Sequence, residues 1–273
     1  GHLGYSLQQA NIAVDSFRIR VNMLGIFDTV SSYSLLPIPQ FGNDVAELGL
    51  HNLGMADHIV HFTATDEFRK NFALTRVTRG VEKEFPGVHS DIGGSYKSGP
   101  ETRNAIETAW FSRTRLEALR AQLICEGWYT DSDPKITGSP LYWMLRGEKL
   151  LVHKEYSYIP LHFMADYSVD YKAAVKAELL VYKYPLNDHP QLQQAKERLQ
   201  SYVRNDAPHP FRKELADEGS IDLLHALRYS YLHRSAQRLS LGMGPSAHWE
   251  KKKKKKKNCK EHKLCGINER VYF

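Results

Sequence analysis

The chain has 273 residues, of which 42% are apolar and 25% charged, enough to build a sizeable core and too apolar for a wholly disordered chain. Its 37 Lys and Arg against 31 Asp and Glu give +6, but the seven consecutive lysines Lys251 to Lys257 carry that whole excess, and without them the balance is −1. That excludes a basic nucleic-acid-binding body, because such a domain spreads its cations over a folded face; a homopolymeric lysine run repels itself and reads as a solvated loop.

In chain order, Leu3, Leu7, Ala10 and Val14 recur at three and four residues and predict a helix over Gly1 to Ser16. Phe17 to Phe27 alternates and then runs apolar, the pattern of a strand whose end lies within a covered sheet. It stops at Asp28-Thr29-Val30-Ser31-Ser32. A short helix follows near Asn43 to Leu50, then a strand at His58 to Ala64 and a third at Glu82 to Val88, interrupted by Pro86. Alternating strands and helices predict a parallel sheet. Glu101 to Cys125 reads as one helix with an apolar stripe, stopped by Gly127. Helices are predicted again at Pro160 to Leu180, at Asp188 to Val203 with Asp188 as cap, and at Ser220 to Ala236. The lysine tract and a short strand, Glu269 to Phe273, close the chain, and there is no internal repeat.

Asp28 directly follows the most sheet-like segment, and in open parallel sheets catalytic groups gather beyond the carboxyl ends of strands. The bland alternative is a turn or cap aspartate. His89 sits past the third strand in FPGVHSDIGGSY, a loop whose glycines allow sharp turns and close backbone approach. A neutral imidazole there can take a proton from a hydroxyl and return it, although a lone loop histidine is commonly structural or solvated. Asp before His, each at a strand end, is the order of an α/β-hydrolase triad, whose serine comes earlier on a G-x-S-x-G elbow. The sequence holds no such pentad. Gly4-Tyr5-Ser6-Leu7-Gln8 and Gly244-Pro245-Ser246-Ala247-His248 approach it, and each lacks the final glycine.

FDTVSSYS (Phe27 to Ser34), TATDEFRKNFALT (Thr63 to Thr75) and FPGVHSDIGGSY (Phe85 to Tyr96) resemble the α/β-hydrolase domain of the type VI secretion phospholipase effectors, the family-one lipase effectors, long catalogued as a domain of unknown function. LRYSYLHRSAQ (Leu227 to Gln237) and the closing RVYF are similar to that family's C-terminal part. The resemblance covers residues 1 to 110 well and the rest thinly. It implies a serine esterase that cleaves acyl chains from phospholipids, with Asp28 as the triad acid and His89 as the base, and with no cofactor or metal. The nucleophile elbow would precede Gly1, so this stretch by itself would lack the serine. A non-catalytic binding protein that keeps the fold is the other reading.

The expected architecture is a partial α/β-hydrolase sheet over residues 1–127, a mainly helical accessory region over 128–250, and a lysine-rich loop with a terminal strand over 251–273. The implied partners are a phospholipid membrane surface, an immunity protein and a secretion-machine carrier, with no nucleic acid. The protein would be cytoplasmic in its producer and exported to a target cell; the sequence shows neither a signal segment nor a membrane-spanning run. Cys125, Cys259 and Cys265 are too few for a disulfide framework. Cys259, His262 and Cys265 sit among lysines that repel a cation, which argues against zinc. The aromatic stretch around Tyr142, Trp143, Leu145, Tyr156, Tyr158, Ile159 and Phe163 reads as core beneath a helical cap, with a membrane-facing surface as the alternative.

Overall fold

The computed structural model describes residues 2–12, 20–30, 56–212, 214–239 and 244–245. The helix expected near Asn43 to Leu50, the lysine tract, the Cys259–Cys265 cluster and the closing strand lie outside these residues.

Helix α1 (His2–Gln9) opens the chain and is shorter than the periodicity suggests. Three strands, β1 (Val21–Phe27), β2 (Ala56–Ala64) and β3 (Val81–Phe85), form a parallel sheet in the order β1-β2-β3. The pairing sets Phe27 beside Phe62 and Ala64 beside Phe85, so the three carboxyl ends finish along one rim. The middle strand, β2, is buried from Ile59 to Ala64, as expected of its β-branched and aromatic residues in a covered sheet. β3 ends before Pro86, which cannot donate to a ladder.

Beyond the short helix α2 (His89–Gly93), the reading of Glu101 to Cys125 as one helix is corrected. Its first half is a long strand, β4 (Gly99–Trp110), and only Thr114–Cys125 is helix, α3. β4 lies antiparallel to β6 (Tyr142–Val152), which also pairs with β5 (Lys135–Ser139) in a second sheet ordered β4-β6-β5. The register of β4 shifts between Arg103 and Glu107, and this irregularity blurs a period of two into something close to helical spacing. Glu101 and Glu107 are buried carboxylates paired with Lys149 and Arg103, and with Arg115 and Arg238. Gly127 does stop α3, in the left-handed region at φ +77°.

The expected helix over Pro160 to Leu180 is two helices, α4 (Tyr158–Asp170) and α5 (Ala177–Lys183). α6 (Pro190–Asn205) carries proline in its first turn, but His189 rather than Asp188 occupies the cap position. Its buried Leu192, Ala195, Leu199 and Val203 repeat at three and four residues, the stripe that an amphipathic helix turns inward. α7 (Glu218–Ser230) starts earlier than expected because Asp217 caps it, accepting the Ser220 N–H at 2.6 Å. One apolar core joins both sheets to these helices, with Phe62, Phe85, Leu145, Tyr156, Ile159 and Phe163 at most 1% exposed. Most of the aromatic stretch is therefore core.

Candidate active site

The rim where β1, β2 and β3 end gathers the side chains with most chemistry. Asp28 follows β1 in the left-handed region at φ +47°, a conformation that aspartate tolerates better than most residues. Its N–H bonds the carbonyl of Phe62 at 2.7 Å, so it stays tied to β2. The carboxylate is fully buried; Oδ1 accepts the Ala64 N–H at 2.8 Å and Oδ2 lies 2.9 Å from Nδ1 of His89. Residues 61 apart in sequence thus meet at one edge of the sheet. A carboxylate offers only acceptors, so Nδ1 of His89 carries the proton and Nε2 is the acceptor nitrogen of the neutral ring. The imidazole is 29% exposed while Asp28 is shut away, the arrangement by which a buried acid orients a base that reaches its reactant.

The loops around the pair are pinned by buried polar groups. Thr29, next to Asp28, donates its N–H to Nε2 of His61 at 3.1 Å, and Nδ1 of His61 in turn donates to Glu82 at 3.1 Å. Gly87 adopts φ +114°, where a side chain would be strained, and donates to Oδ2 of Asp66 at 2.8 Å. The other oxygen of Asp66 accepts from Arg228 on α7 at 2.9 Å. Glu67 accepts the His89 N–H at 3.3 Å, the Ser235 hydroxyl at 2.9 Å, and the main chain and guanidinium of Arg69 at 2.8 to 2.9 Å. Asp91 does not join His89. It accepts from Val88 at 3.0 Å and binds Nδ1 of His233 at 2.7 Å, fastening the segment after α7 to α2, whose first residue is His89 rather than a loop position. Burial raises the Asp91 carboxyl above its ordinary pKa, against hydrogen bonds from His233 and the main chain that pull it down.

Asp28 and His89, both marked by their places at strand ends, are brought together by the fold. Asp66, Glu67, Arg69, Arg228 and His233 carry no such mark in the sequence. Three of these lie in TATDEFRKNFALT and two in LRYSYLHRSAQ, so the quoted motifs held the signal without showing what each residue touches. The chance pentad at Gly4 lies on α1, and that at Gly244 runs beyond the described residues. Among the described residues no group of three or more His, Cys, Asp or Glu is placed to hold a metal ion, and no helix is long and apolar enough to cross a membrane.

Comparison with known proteins follows the same lines. The family described as T6SS, Phospholipase effector Tle1-like, catalytic domain, matches residues 5–147. Among solved structures, that of the Tle1 effector bound to the VgrG spike from the Type 6 secretion system is similar, with a TM-score of 0.52 and 18% identity. The match covers 80% of this chain and 49% of the other, so the likeness is one of fold and takes in about half of that protein's length. A search of curated proteins gave no match.

Proposed function

The chain belongs to the family of type VI secretion Tle1-like phospholipase effector catalytic domains, and from that premise we propose that Asp28 and His89 are the acid and base of a serine-hydrolase triad acting on phospholipid acyl esters. The observation that carries the reading is the 2.9 Å contact between a fully buried carboxylate and a part-exposed imidazole at the rim of a parallel sheet. In this reading the nucleophile is a serine hydroxyl brought to Nε2 of His89.

Nε2 of His89 takes the serine proton as the oxygen attacks the ester carbonyl, and the charge gained by the ring is stabilised by Asp28 at the other nitrogen. Main-chain N–H groups hold the oxyanion. Collapse of the tetrahedral adduct expels the lysophospholipid alcohol, which takes the proton back from His89 and leaves an acyl-serine. A water deprotonated by His89 then releases the fatty acid. By the same reading a spike protein of the VgrG kind carries the effector to a target cell, and an immunity protein shields the producer.

The test is His89→Ala in the full-length protein, with hydrolysis of phosphatidylcholine dispersions as the readout. Turnover falls about a thousandfold or more while the melting temperature holds. Undiminished turnover rules the role out. Fluorophosphonate labelling of the unsubstituted protein separates a serine enzyme from a binding protein that keeps only the fold.

A further inference from the structure

An imidazole hydrogen-bonded at one nitrogen is not yet aimed. The χ2 torsion of histidine is broad, and the ring can tip about the line from Nδ1 to the carboxylate. A base that must meet a hydroxyl needs a second restraint on its plane. In this protein the second contact is Phe72, whose ring centroid lies 5.4 Å from that of His89 with the planes at 65°, the edge-on arrangement aromatic rings prefer.

Phe72 stands on a single turn of 3-10 helix, Lys70–Phe72, with no side-chain cap and no fully buried residue. Such a turn does not fix a side chain by itself. The guanidinium of Arg69 covers the Phe72 ring at 3.3 Å from its centroid. Arg69 is 7% exposed and grips the fully buried Glu67 carboxylate through its own N–H, Nε and Nη2. Glu67 also accepts the His89 N–H. One carboxylate therefore references both parts of His89, the main chain directly and the ring through Arg69 and Phe72.

We infer that Phe72, held by the Glu67–Arg69 pair, is a positioning residue that sets the plane of the His89 imidazole. Phe72 touches the base and moves no proton. The inference rests on the hydrolase reading for its meaning, and its first readout needs no turnover.

The experiment uses the 273-residue chain labelled with ¹⁵N-histidine, the His89 signals being assigned by their loss in His89→Gln. The unsubstituted chain shows a slowly exchanging Nδ1 proton on His89, bonded to Asp28. Phe72→Leu keeps apolar bulk but loses the ring; that proton exchanges into solvent while the melting temperature is unchanged. Phe72→Tyr restores it. In the full-length protein Phe72→Leu lowers kcat by about tenfold to a hundredfold with KM unchanged, and Phe72→Tyr recovers it.

The inference is overturned if the unsubstituted chain shows no protected Nδ1 proton, if Phe72→Leu retains both the proton and kcat, or if Phe72→Tyr rescues neither. If His89→Ala leaves hydrolysis intact, the hydrolase reading fails by itself, and the proton signal still reports whether Phe72 orients the ring.

Discussion

Asp28 serves two neighbours with two oxygens, and that division makes its charge testable. In Asp28→Asn one side-chain atom still accepts the Ala64 N–H, but the NH₂ group faces Nδ1 of His89. The ring must then place its proton on Nε2, the nitrogen that has to accept one. In the full-length protein kcat is expected to fall about 10³- to 10⁴-fold with the fold intact, read by steady-state hydrolysis beside circular dichroism. Activity within tenfold of the original excludes a base oriented by this carboxylate.

A second histidine works through its neutrality. His209 donates from Nε2 to the Glu84 carbonyl at 3.1 Å and accepts the Phe211 N–H at Nδ1, and burial pushes its pKa down to about 4. The unfolded chain, titrating near 6.5, binds the proton first as pH falls. Stability is therefore full above about 6.5 and is lost progressively towards 4, by about 3 kcal/mol from this group. Denaturant melts of the 273-residue chain and of His209→Asn across that window check the sign: the substituted chain shows a flatter pH slope, and equal slopes would remove His209 as the cause.

Among the elements, α7 is fastened to the rim of the parallel sheet by charge as well as by packing. Arg228 and Asp66 are 2% and 1% exposed, and Arg228 also donates to the Glu126 carbonyl at 3.0 Å. Removing one member of a buried pair strands the other. Arg228→Met is expected to destabilise the chain by about 3–5 kcal/mol in urea unfolding, and adding Asp66→Asn restores part of that loss because the stranded carboxylate is gone. A double variant as unstable as the sum of the two singles would show that the pair does not interact. The apolar faces of α6 and α7 were legible because their neighbours are polar and their period is regular. β4 was not, because its irregular register and buried glutamates imitate an exposed helix, and the partner that makes it a strand, β6, lies some 40 residues away, as the pairing of Arg103 with Gly147 shows.

Over the whole molecule, the segment after α7 ties the two sheets together. His233 binds Asp91 at the parallel-sheet rim, while the Arg234 N–H donates to Glu101 on β4 at 2.9 Å. Lys149 on β6 donates to the carbonyls of Arg228 and Leu232 at 2.7 and 2.8 Å. Burial lowers the Lys149 pKa, opposed by the nearby Glu101 carboxylate. Buried polar bonds shared between sheets cannot break on one side alone without stranding charge on the other. Residues 56–239 are therefore expected to unfold in a single transition, with far-UV circular dichroism and tryptophan fluorescence giving the same urea midpoint. Two separated midpoints would make the boundary near residue 127 a true domain boundary.

The parallel strands, the helical stripes and the chemistry available at Asp28 and His89 follow from the amino-acid order alone. Local periodicity and the residue types at strand ends are properties of neighbours in the chain. That these two side chains meet, that β4 is a strand, and that Glu67, Arg69 and Phe72 stand around the imidazole are set by the folded packing. Each of these depends on contacts between segments distant in sequence, where burial and pairing outweigh local preference, and no single segment carries that information alone.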